Sequence, residues 1–131
     1  MAELSEKARK LFEDPNYLFV GTTNKDGSPQ VTPVWTDVSN GHIRFNTAIG
    51  RAKERNLRRD PRVGLSITAR DNPWEKADVR GRVVDFIEGE EADANIDDLC
   101  EKYMGQRPYP WHQPDEKRVI VVIEPERVYE M

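Results

Sequence analysis

The residues best suited to chemistry form a cluster of basic side chains in the segment RAKERNLRRDPR (51–62). This segment holds six basic and two acidic side chains, which leaves 14 basic and 22 acidic residues elsewhere in the chain. The whole chain carries a formal charge of −4, so the segment is a positive region on an acidic protein. A forked guanidinium and a compact ammonium that converge on one point bind phosphate well. The segment therefore predicts a site for a small phosphorylated ligand.

The local backbone decides whether Arg51 and Lys53 can share that ligand. Both follow Gly50, and a glycine at the end of a strand lets the backbone approach a phosphate closely. If residues 51–53 are extended, alternation places both basic side chains on one side. This requires the next helix to begin at or after Lys53, because on an ideal helix the two would point about 200° apart. Asn56 lies one turn further and could donate to the same anion.

The segment has two other interpretations, of which the first stays open and the second is disfavoured. A run of charge is most often the solvated face of a helix, and Arg55, Arg58 and Arg59 would form such a face. Nucleic-acid binding is disfavoured, because the rest of the chain is acidic and few aromatic residues are interleaved with the basic ones. We therefore expect no nucleic-acid partner.

Hydrophobic periodicity and turn residues predict the elements that position this segment. The pair Asp26-Gly27 predicts a hairpin, and Pro33 predicts a sheet edge or a bulge, since proline deletes a ladder donor. The loop RDNPWE (70–75) is expected to separate two strands. The predicted strands are 17–23, 29–38, 42–47, 62–69, 76–88 and 118–130, with helices near 4–12, at 53–59 and at 88–105, the last ending at Gly105.

Short strands with few helices predict a mainly β (α+β) fold, a six-stranded antiparallel barrel with a few short helices outside it. Val121, Val122 and Ile123 are consecutive, so both faces of the last strand must be covered. A second copy of the chain would cover the outer face, and so would a helix packed on the barrel. With no linker or repeat in the pattern, residues 1–131 are expected to form one domain.

Composition makes several other classes of protein improbable. The chain has no apolar run near the roughly 18 residues that span a bilayer, so we expect no membrane partner. One cysteine cannot form an internal disulfide, and with two histidines it cannot supply a usual zinc site, so no metal is predicted. The charged N-terminus lacks the apolar region of a secretory signal, which favours a cytoplasmic location.

Three further residues have both a structural and a functional interpretation. His42 begins a predicted strand and is most simply a surface residue, and Cys100 shares the apolar face of its helix, which predicts a buried, inert thiol. His112 lies in the aromatic loop QRPYPWHQP (106–114), where it could border a substrate pocket.

Four segments resemble the flavin and deazaflavin oxidoreductases, which share the split β-barrel of the pyridoxamine-5′-phosphate oxidases. The pattern G-R-x-K-x-x-N-L-x-x-D-P-R-V, which begins at Gly50, is similar to the branch that binds coenzyme F420, a 5-deazaflavin hydride carrier. The resemblance implies a homodimer with a cofactor cleft at the subunit interface. The segments are NKDGSPQVTPVW (24–35), NTAIGRAKERNLRRDPRVGLSI (46–67), NPWEKADVRGRVV (72–84) and RVIVVIEPERV (118–128).

The resemblance also implies which residues meet the cofactor. Arg51 and Lys53 would hold its phosphate, the backbone from Gln30 to Trp35 would follow the ring, and Trp74 would cover it from the same or the other subunit. Arg118 would meet an acidic tail. No catalytic residue is assigned. The implied cofactor-binding residues are Gln30, Thr32, Pro33, Val34, Trp35, Asn46, Thr47, Gly50, Arg51, Lys53, Asn56, Trp74 and Lys76.

The function that the resemblance implies is hydride transfer from reduced F420 to an activated C=C bond or conjugated carbonyl of a small planar organic substrate. No nucleophile elbow or dinucleotide fingerprint is present in the sequence, and such a transfer requires neither. FMN is the alternative cofactor, in an oxidoreductase of the pyridoxamine phosphate oxidase type, and a non-catalytic F420 or flavin carrier is the alternative function. The surplus of Arg in 51–62 favours F420, whose tail is polyanionic.

Overall fold

The computed structural model describes residues 2–130, which form seven strands and three helices. The strands pair into one antiparallel sheet with the order β2-β1-β5-β6-β7-β4-β3. The strands are β1 (Leu18–Thr23), β2 (Pro29–Val34), β3 (Thr36–Ser39), β4 (His42–Ala48), β5 (Arg62–Ala69), β6 (Asn72–Glu88) and β7 (Arg118–Glu130). The helices are α1 (Glu6–Glu13), α2 (Ala52–Arg59) and α3 (Glu90–Met104).

A single residue, Trp35, separates the two strands at opposite edges of this sheet. β2 pairs with β1, whereas β3 pairs with β4 at the far end of the strand order. Two residues of extended chain span about 7 Å, so Val34 and Thr36 can lie in opposite edges only if the sheet curls until those edges meet. The result is a barrel that is split between β2 and β3. The predicted strand 29–38 is therefore two strands, and the predicted count of six strands was one too few.

Local turn chemistry explains most of the strand boundaries. Gly27 adopts a φ of 88° in the β1–β2 hairpin, which confirms the predicted turn. Asn40 and Gly41 have φ values of 52° and 79°, the positive values that a two-residue hairpin turn favours between β3 and β4. Pro33 lies in an edge strand, as predicted. The predicted loop 70–75 was wrong at its end, because β6 already begins at Asn72.

The last strand is covered on both faces within the chain. Val121 and Ile123, both 0% exposed, join the barrel core, whereas Ile120 and Val122 pack outward with Ala92 of α3. The helix α3 therefore supplies the outer cover that a second copy could also have supplied. Burying an aliphatic side chain of this size stabilises the fold by about 1.5–3 kcal/mol.

Two contacts fix the end of α3 against the split in the barrel. The Lys102 ammonium donates to the carbonyl oxygens of Phe12 and Thr36, both at 2.6 Å. Gly105 ends the helix in the left-handed conformation, with a φ of 70°, as predicted. These contacts hold α3 beside Trp35. Among residues 2–130, no helix is long and apolar enough to cross a membrane.

Candidate functional site

A cleft of about 300 Å³ opens beside the split in the barrel. Its walls come from both edge regions of the sheet, from the start of α2, from α3 and from the loop before β7. Cationic side chains lie at one end and aromatic side chains along the walls. The lining residues are Tyr17, Pro33, Val34, Trp35, Asn46, Arg51, Lys53, Ile96, Tyr109, Trp111 and Arg118.

The Lys53 ammonium is the cation in this cleft that has no partner. Its side chain is half-buried, and within residues 2–130 it makes neither a hydrogen bond nor an ion pair. Burial lowers the pKa of Lys53, and the positive charges of Arg51 and Arg118 lower it further. A half-buried cation that lacks a counter-charge is unfavourable, and a bound anion would relieve that cost. Lys53 therefore marks the position where an anionic group fits.

Two guanidinium groups and one carboxylate complete the cationic end. Arg118 is only 4% exposed, and its Nη1 donates to Oε1 of Glu116 at 2.8 Å. Nη2 of Arg51 lies 3.5 Å from Oε2 of the same carboxylate. Glu116 thus bridges the two arginines, while the side chain of Arg51 stays about half exposed. With Lys53, the group carries three positive charges and one negative charge.

The start of α2 brings Arg51 and Lys53 together in a way that differs from the prediction. The helix begins at Ala52, so Lys53 is helical and residues 51–53 are not a continuous extended segment. Arg51 is the residue that caps the helix and is itself extended, with φ −70° and ψ 155°. Because Arg51 lies outside the helix, the 200° separation of an ideal helix does not apply, and both side chains line the cleft.

A buried carboxylate holds this helix start in place. Glu54 is 5% exposed, and its Oε1 accepts from the N–H of Gly50 at 2.8 Å while its Oε2 accepts from Nε of Arg58 at 2.6 Å. Burial by itself raises the pKa of Glu54, but these two hydrogen bonds and the positive charges of Arg58 and Arg55 together outweigh it, and the pKa is lowered. Gly50 has a φ of 99°, which other residues rarely adopt. The backbone that presents Arg51 and Lys53 is therefore rigid.

Asn46 connects the cleft to α3. Its side-chain amide donates to the carbonyl oxygen of Ala92 at 2.9 Å and to Oδ1 of Asn95 at 3.0 Å. Its Oδ1 accepts from Nε of Arg118 at 2.8 Å. Asn95 in turn donates to Asp37 at 3.0 Å. This buried network fixes the direction in which the guanidinium of Arg118 points.

Stacked rings form the other wall of the cleft. The rings of Trp35 and Tyr103 are stacked, with centroids 5.4 Å apart and planes 13° apart. Tyr109 meets Trp35 edge-on at 6.2 Å and Trp111 edge-on at 5.6 Å. Tyr17 extends the cluster through Tyr103, with ring centroids 5.8 Å apart. Such a wall suits a flat, conjugated ring, because aromatic faces stack on one another.

The structure places six of the implied cofactor-binding residues in the lining of this cleft: Pro33, Val34, Trp35, Asn46, Arg51 and Lys53. The other implied residues lie outside that lining. They are Gln30, Thr32, Thr47, Gly50, Asn56, Trp74 and Lys76.

Asn56 was expected to donate to the same anion as Lys53, but its amide is already engaged. Its Nδ2 donates to Oγ1 of Thr22 at 3.0 Å and to Oδ1 of Asn24 at 2.8 Å, and the residue is 5% exposed. We therefore assign Asn56 to the attachment of α2 to the β1–β2 hairpin. Thr47 is fully buried, and its hydroxyl has no hydrogen-bond partner within residues 2–130.

The implied covering residues lie in the β5–β6 hairpin, away from the cleft of their own chain. Trp74 is 72% exposed, and the ammonium of Lys76 lies 2.9 Å from Oδ2 of Asp78. Their role at a cofactor thus stays a prediction that depends on a second subunit.

Most of the remaining basic residues in 51–62 are engaged within the protein. Arg58 pairs with Glu54 at 2.6 Å, Arg62 pairs with Asp60 at 2.7 Å, and Arg59 donates to a carbonyl of β1. The surplus of Arg in this segment is therefore not directed at the cleft, and it does not favour F420 over FMN.

Sequence reasoning did not assign Tyr17 or Ile96 to the site, although both line the cleft. Tyr17 directly precedes β1 and Ile96 lies on α3, and no local motif marks either position. Tyr109 and Trp111 belong to the loop 106–114 that was expected to border a pocket, and both line the cleft. His112 is outside the lining; its Nε2 lies 3.8 Å from Asp97.

The two remaining residues considered in the sequence are Cys100 and His42. Cys100 is fully buried and burial raises the pKa of its thiol, as expected for an unreactive cysteine. His42 is half-buried at the start of β4.

The fold and the site together define a split antiparallel barrel with a cationic and aromatic cleft beside its split. The chain belongs to the pyridoxamine 5′-phosphate oxidase family, whose model matches residues 4–131. Comparison with curated proteins gave no match.

Superposition on solved structures is consistent with membership of this family and confirms the predicted split-barrel fold. An F420 reductase superposes with a TM-score of 0.84 at 31% identity, covering 98% of this chain and 100% of that chain. A conserved hypothetical protein from Mycobacterium tuberculosis superposes at 0.72 with 29% identity, covering 95% and 82%. General Stress Protein 26 from Bacillus anthracis superposes at 0.72 with 13% identity, covering 96% and 92%, a likeness of fold.

Proposed function

We propose that the protein is a coenzyme F420-dependent oxidoreductase that transfers hydride to an activated C=C bond or a conjugated carbonyl of a small planar organic substrate. The observation that carries the proposal is the partnerless Lys53 beside Arg51 at one end of a cleft whose walls are aromatic. The 31% identity to an F420 reductase over nearly the whole chain supports F420 as the cofactor.

The residues of the cleft fit a group that combines a phosphate with a flat ring. Lys53 lacks a counter-charge and lies beside two guanidinium groups, which suits a phosphate. Trp35 and Tyr109 present aromatic surface along the walls of a cleft of about 300 Å³, and the Arg118 guanidinium lies 5.5 Å from the centroid of the Tyr109 ring. In this arrangement, Arg51 and Lys53 hold the phosphate, and Asn46 keeps Arg118 in position beside them.

A reduced deazaflavin supplies the hydride when bound, so the protein itself requires no nucleophile. The side chains of this chain bind and orient. The stacked pair of Trp35 and Tyr103 keeps the wall rigid, and Tyr109 and Trp111 exclude water from one side. Holding two reactants face to face lowers the entropic part of the barrier.

We also propose that the protein acts as a cytoplasmic homodimer. One face of the sheet exposes apolar side chains, with Phe19 at 48%, Val31 at 66% and Tyr129 at 50%. Strand register places Pro33 opposite Phe19, so this face continues into the cleft. A second copy seated there would border the cofactor and could bring its exposed Trp74 over it. The free, buried thiol of Cys100 suits a reducing compartment.

FMN is the second candidate cofactor, since the family takes its description from an oxidase of pyridoxamine phosphate and a phosphate clamp serves either ring system. Equilibrium titration of the protein with F420 and with FMN separates the two. Micromolar or tighter binding of F420 supports the proposal, whereas binding of FMN without binding of F420 overturns the choice of cofactor.

Stopped-flow mixing of the reduced F420 complex with a panel of enones then tests the reaction. Oxidation of the bound cofactor at a rate that rises with acceptor concentration supports a reductase. Tight F420 binding without turnover of any acceptor would favour a carrier. Light scattering at micromolar concentration tests the dimer, and a monomeric mass would contradict it.

A further inference from the structure

The carboxylate of Glu116 adjoins the cationic end of the cleft: it pairs with Arg51 and Arg118, which line the cleft, and is not itself part of the lining. It accepts from Arg118 at 2.8 Å and lies 3.5 Å from Arg51. Its side chain is only 10% exposed, so solvent screens its charge poorly. A carboxylate in this position repels the very anions that Arg51, Lys53 and Arg118 attract.

The two arginines differ in how far this carboxylate engages them. Arg118 is 4% exposed, and it donates from Nη1 to Glu116 and from Nε to Asn46, so both bonds hold its guanidinium in one orientation in the lining of the cleft. Arg51 is about half exposed and only loosely associated with Glu116. With Lys53, the site carries a net charge of two positives, and within residues 2–130 Lys53 is the one of these three cations without a hydrogen-bond or ion-pair partner.

Coulomb energy is proportional to the charge of the ligand. The repulsion from Glu116 is therefore about twice as large for a doubly charged phosphate monoester as for a singly charged phosphate diester. A carboxylate that pairs with two cations of an anion site consequently reduces the advantage that a monoester would otherwise hold.

We infer that Glu116 is a specificity-determining residue that lowers the preference of the phosphate end of the cleft for doubly charged phosphomonoesters over singly charged phosphodiesters. This inference rests on the proposed function and deepens it, since F420 carries its phosphate as a diester and FMN carries a monoester.

Methyl phosphate and dimethyl phosphate test the inference without any cofactor. At pH 8 the first carries about two negative charges and the second carries one, because the second pKa of a phosphate monoester is near 6. Nitrogen-15 NMR follows the Nε–H signals of Arg51 and Arg118 during titration at constant ionic strength. The proteins compared are the wild type and Glu116→Gln, with Glu116→Ala as a second neutral replacement should the first misfold.

In Glu116→Gln, affinity should rise roughly threefold for dimethyl phosphate and roughly tenfold for methyl phosphate. The control is Glu126→Gln, which removes the same charge from an exposed side chain that lies 3.9 Å from Arg82. That control should change neither affinity by more than a small factor.

Equal gains for the two anions, or equal gains in the Glu126→Gln control, would overturn the inference. The inference would also be overturned if the arginine signals responded to neither anion, both in the wild type and in the folded Glu116 variants. A chain that shows the expected charge dependence but binds neither F420 nor FMN would instead overturn the proposed function, so the two failures are distinguishable.

Discussion

Oδ1 of Asn46 accepts a hydrogen bond of 2.8 Å from Nε of Arg118, deep in the wall of the cleft. Asn46 lies on β4 and Arg118 begins β7, and these two strands pair with each other directly. The same asparagine donates to Ala92 and Asn95 of α3. One side chain thus joins the sheet, the helix that covers it and a cation of the site.

Replacing Asn46 by alanine should weaken the fold and anion binding together. The change leaves the Arg118 Nε–H and the Ala92 carbonyl without their buried partner, at a cost of about 1–3 kcal/mol in the free energy of unfolding. Urea denaturation measures this cost. The control Gln106→Ala truncates an exposed side-chain amide in the loop after α3 and should cost less. Equal losses in both variants would show that the buried network adds nothing.

Replacing Lys53 by alanine should weaken cofactor binding by roughly 1.5–3 kcal/mol, the range of a hydrogen bond to a charged group. The ligand is F420 or FMN, whichever the wild type binds more tightly, and fluorescence titration gives the dissociation constant. Arg55→Ala is the matched control, because Arg55 is an exposed cation on the same helix. An unchanged dissociation constant in folded Lys53→Ala would mean that the anion site lies elsewhere.

The fold was predictable from the sequence wherever the cause is local. Turn residues and alternation within a few positions account for the turn at Gly27, the end of α3 at Gly105 and the span of β5. They do not account for the break at Trp35, since Val34, Trp35 and Thr36 all favour strands and no turn residue stands between them. Only the curvature of the whole sheet requires the chain to change edges there.

Burial on both faces of a strand was predictable, but its cause was not. The run from Val121 to Ile123 indicates that both faces are covered. It does not indicate whether Ala92 of α3 or a second subunit covers the outer one. Which of the two covers the outer face depends on how α3, which precedes β7 in the chain, packs against the sheet.

The candidate site was predictable in its cations and less so in its walls. Arg51 and Lys53 were assigned from spacing and resemblance, and both line the cleft although α2 begins at Ala52. Asn56 follows the same spacing, yet the β1–β2 hairpin engages its amide. Tyr17 reaches the cleft from a distant segment, and periodicity carries no information on such contacts.

Replacing Glu54 by glutamine should destabilise the start of α2 in a pH-dependent manner. The folded pKa of Glu54 is lowered from its usual value of 4.5, so its contribution to stability is present above pH 4.5 and is lost as the pH falls through the folded pKa. The variant should be about 1–3 kcal/mol less stable than the wild type at pH 7, and the difference should shrink below pH 4.5.

Urea denaturation between pH 3 and pH 7 measures that difference. Glu90→Gln is the control, since Glu90 is also in the first turn of a helix but is exposed. A difference between Glu54→Gln and the wild type that stays constant over this range would show that the charge of Glu54 contributes nothing.

Replacing Tyr103 by phenylalanine should change the stability of the protein most at neutral pH and least in alkali. The Tyr103 hydroxyl donates to the carbonyl oxygen of Asn16 and accepts from the N–H of Thr36, and burial raises its pKa to about 12. An unfolded tyrosine ionises near pH 10, so between pH 10 and 12 the unfolded state binds fewer protons than the folded state, and stability falls as the pH rises. The free energy of unfolding of the wild type should therefore exceed that of Tyr103→Phe by about 1–2 kcal/mol at pH 7, and this difference should diminish above pH 10.

Urea denaturation followed by tryptophan fluorescence, which also reports on the stacked Trp35, measures the free energy of unfolding at both pH values. The control is Tyr129→Phe, because Tyr129 is exposed. A difference in stability between the wild type and Tyr103→Phe that does not narrow in alkali would contradict the raised pKa of Tyr103.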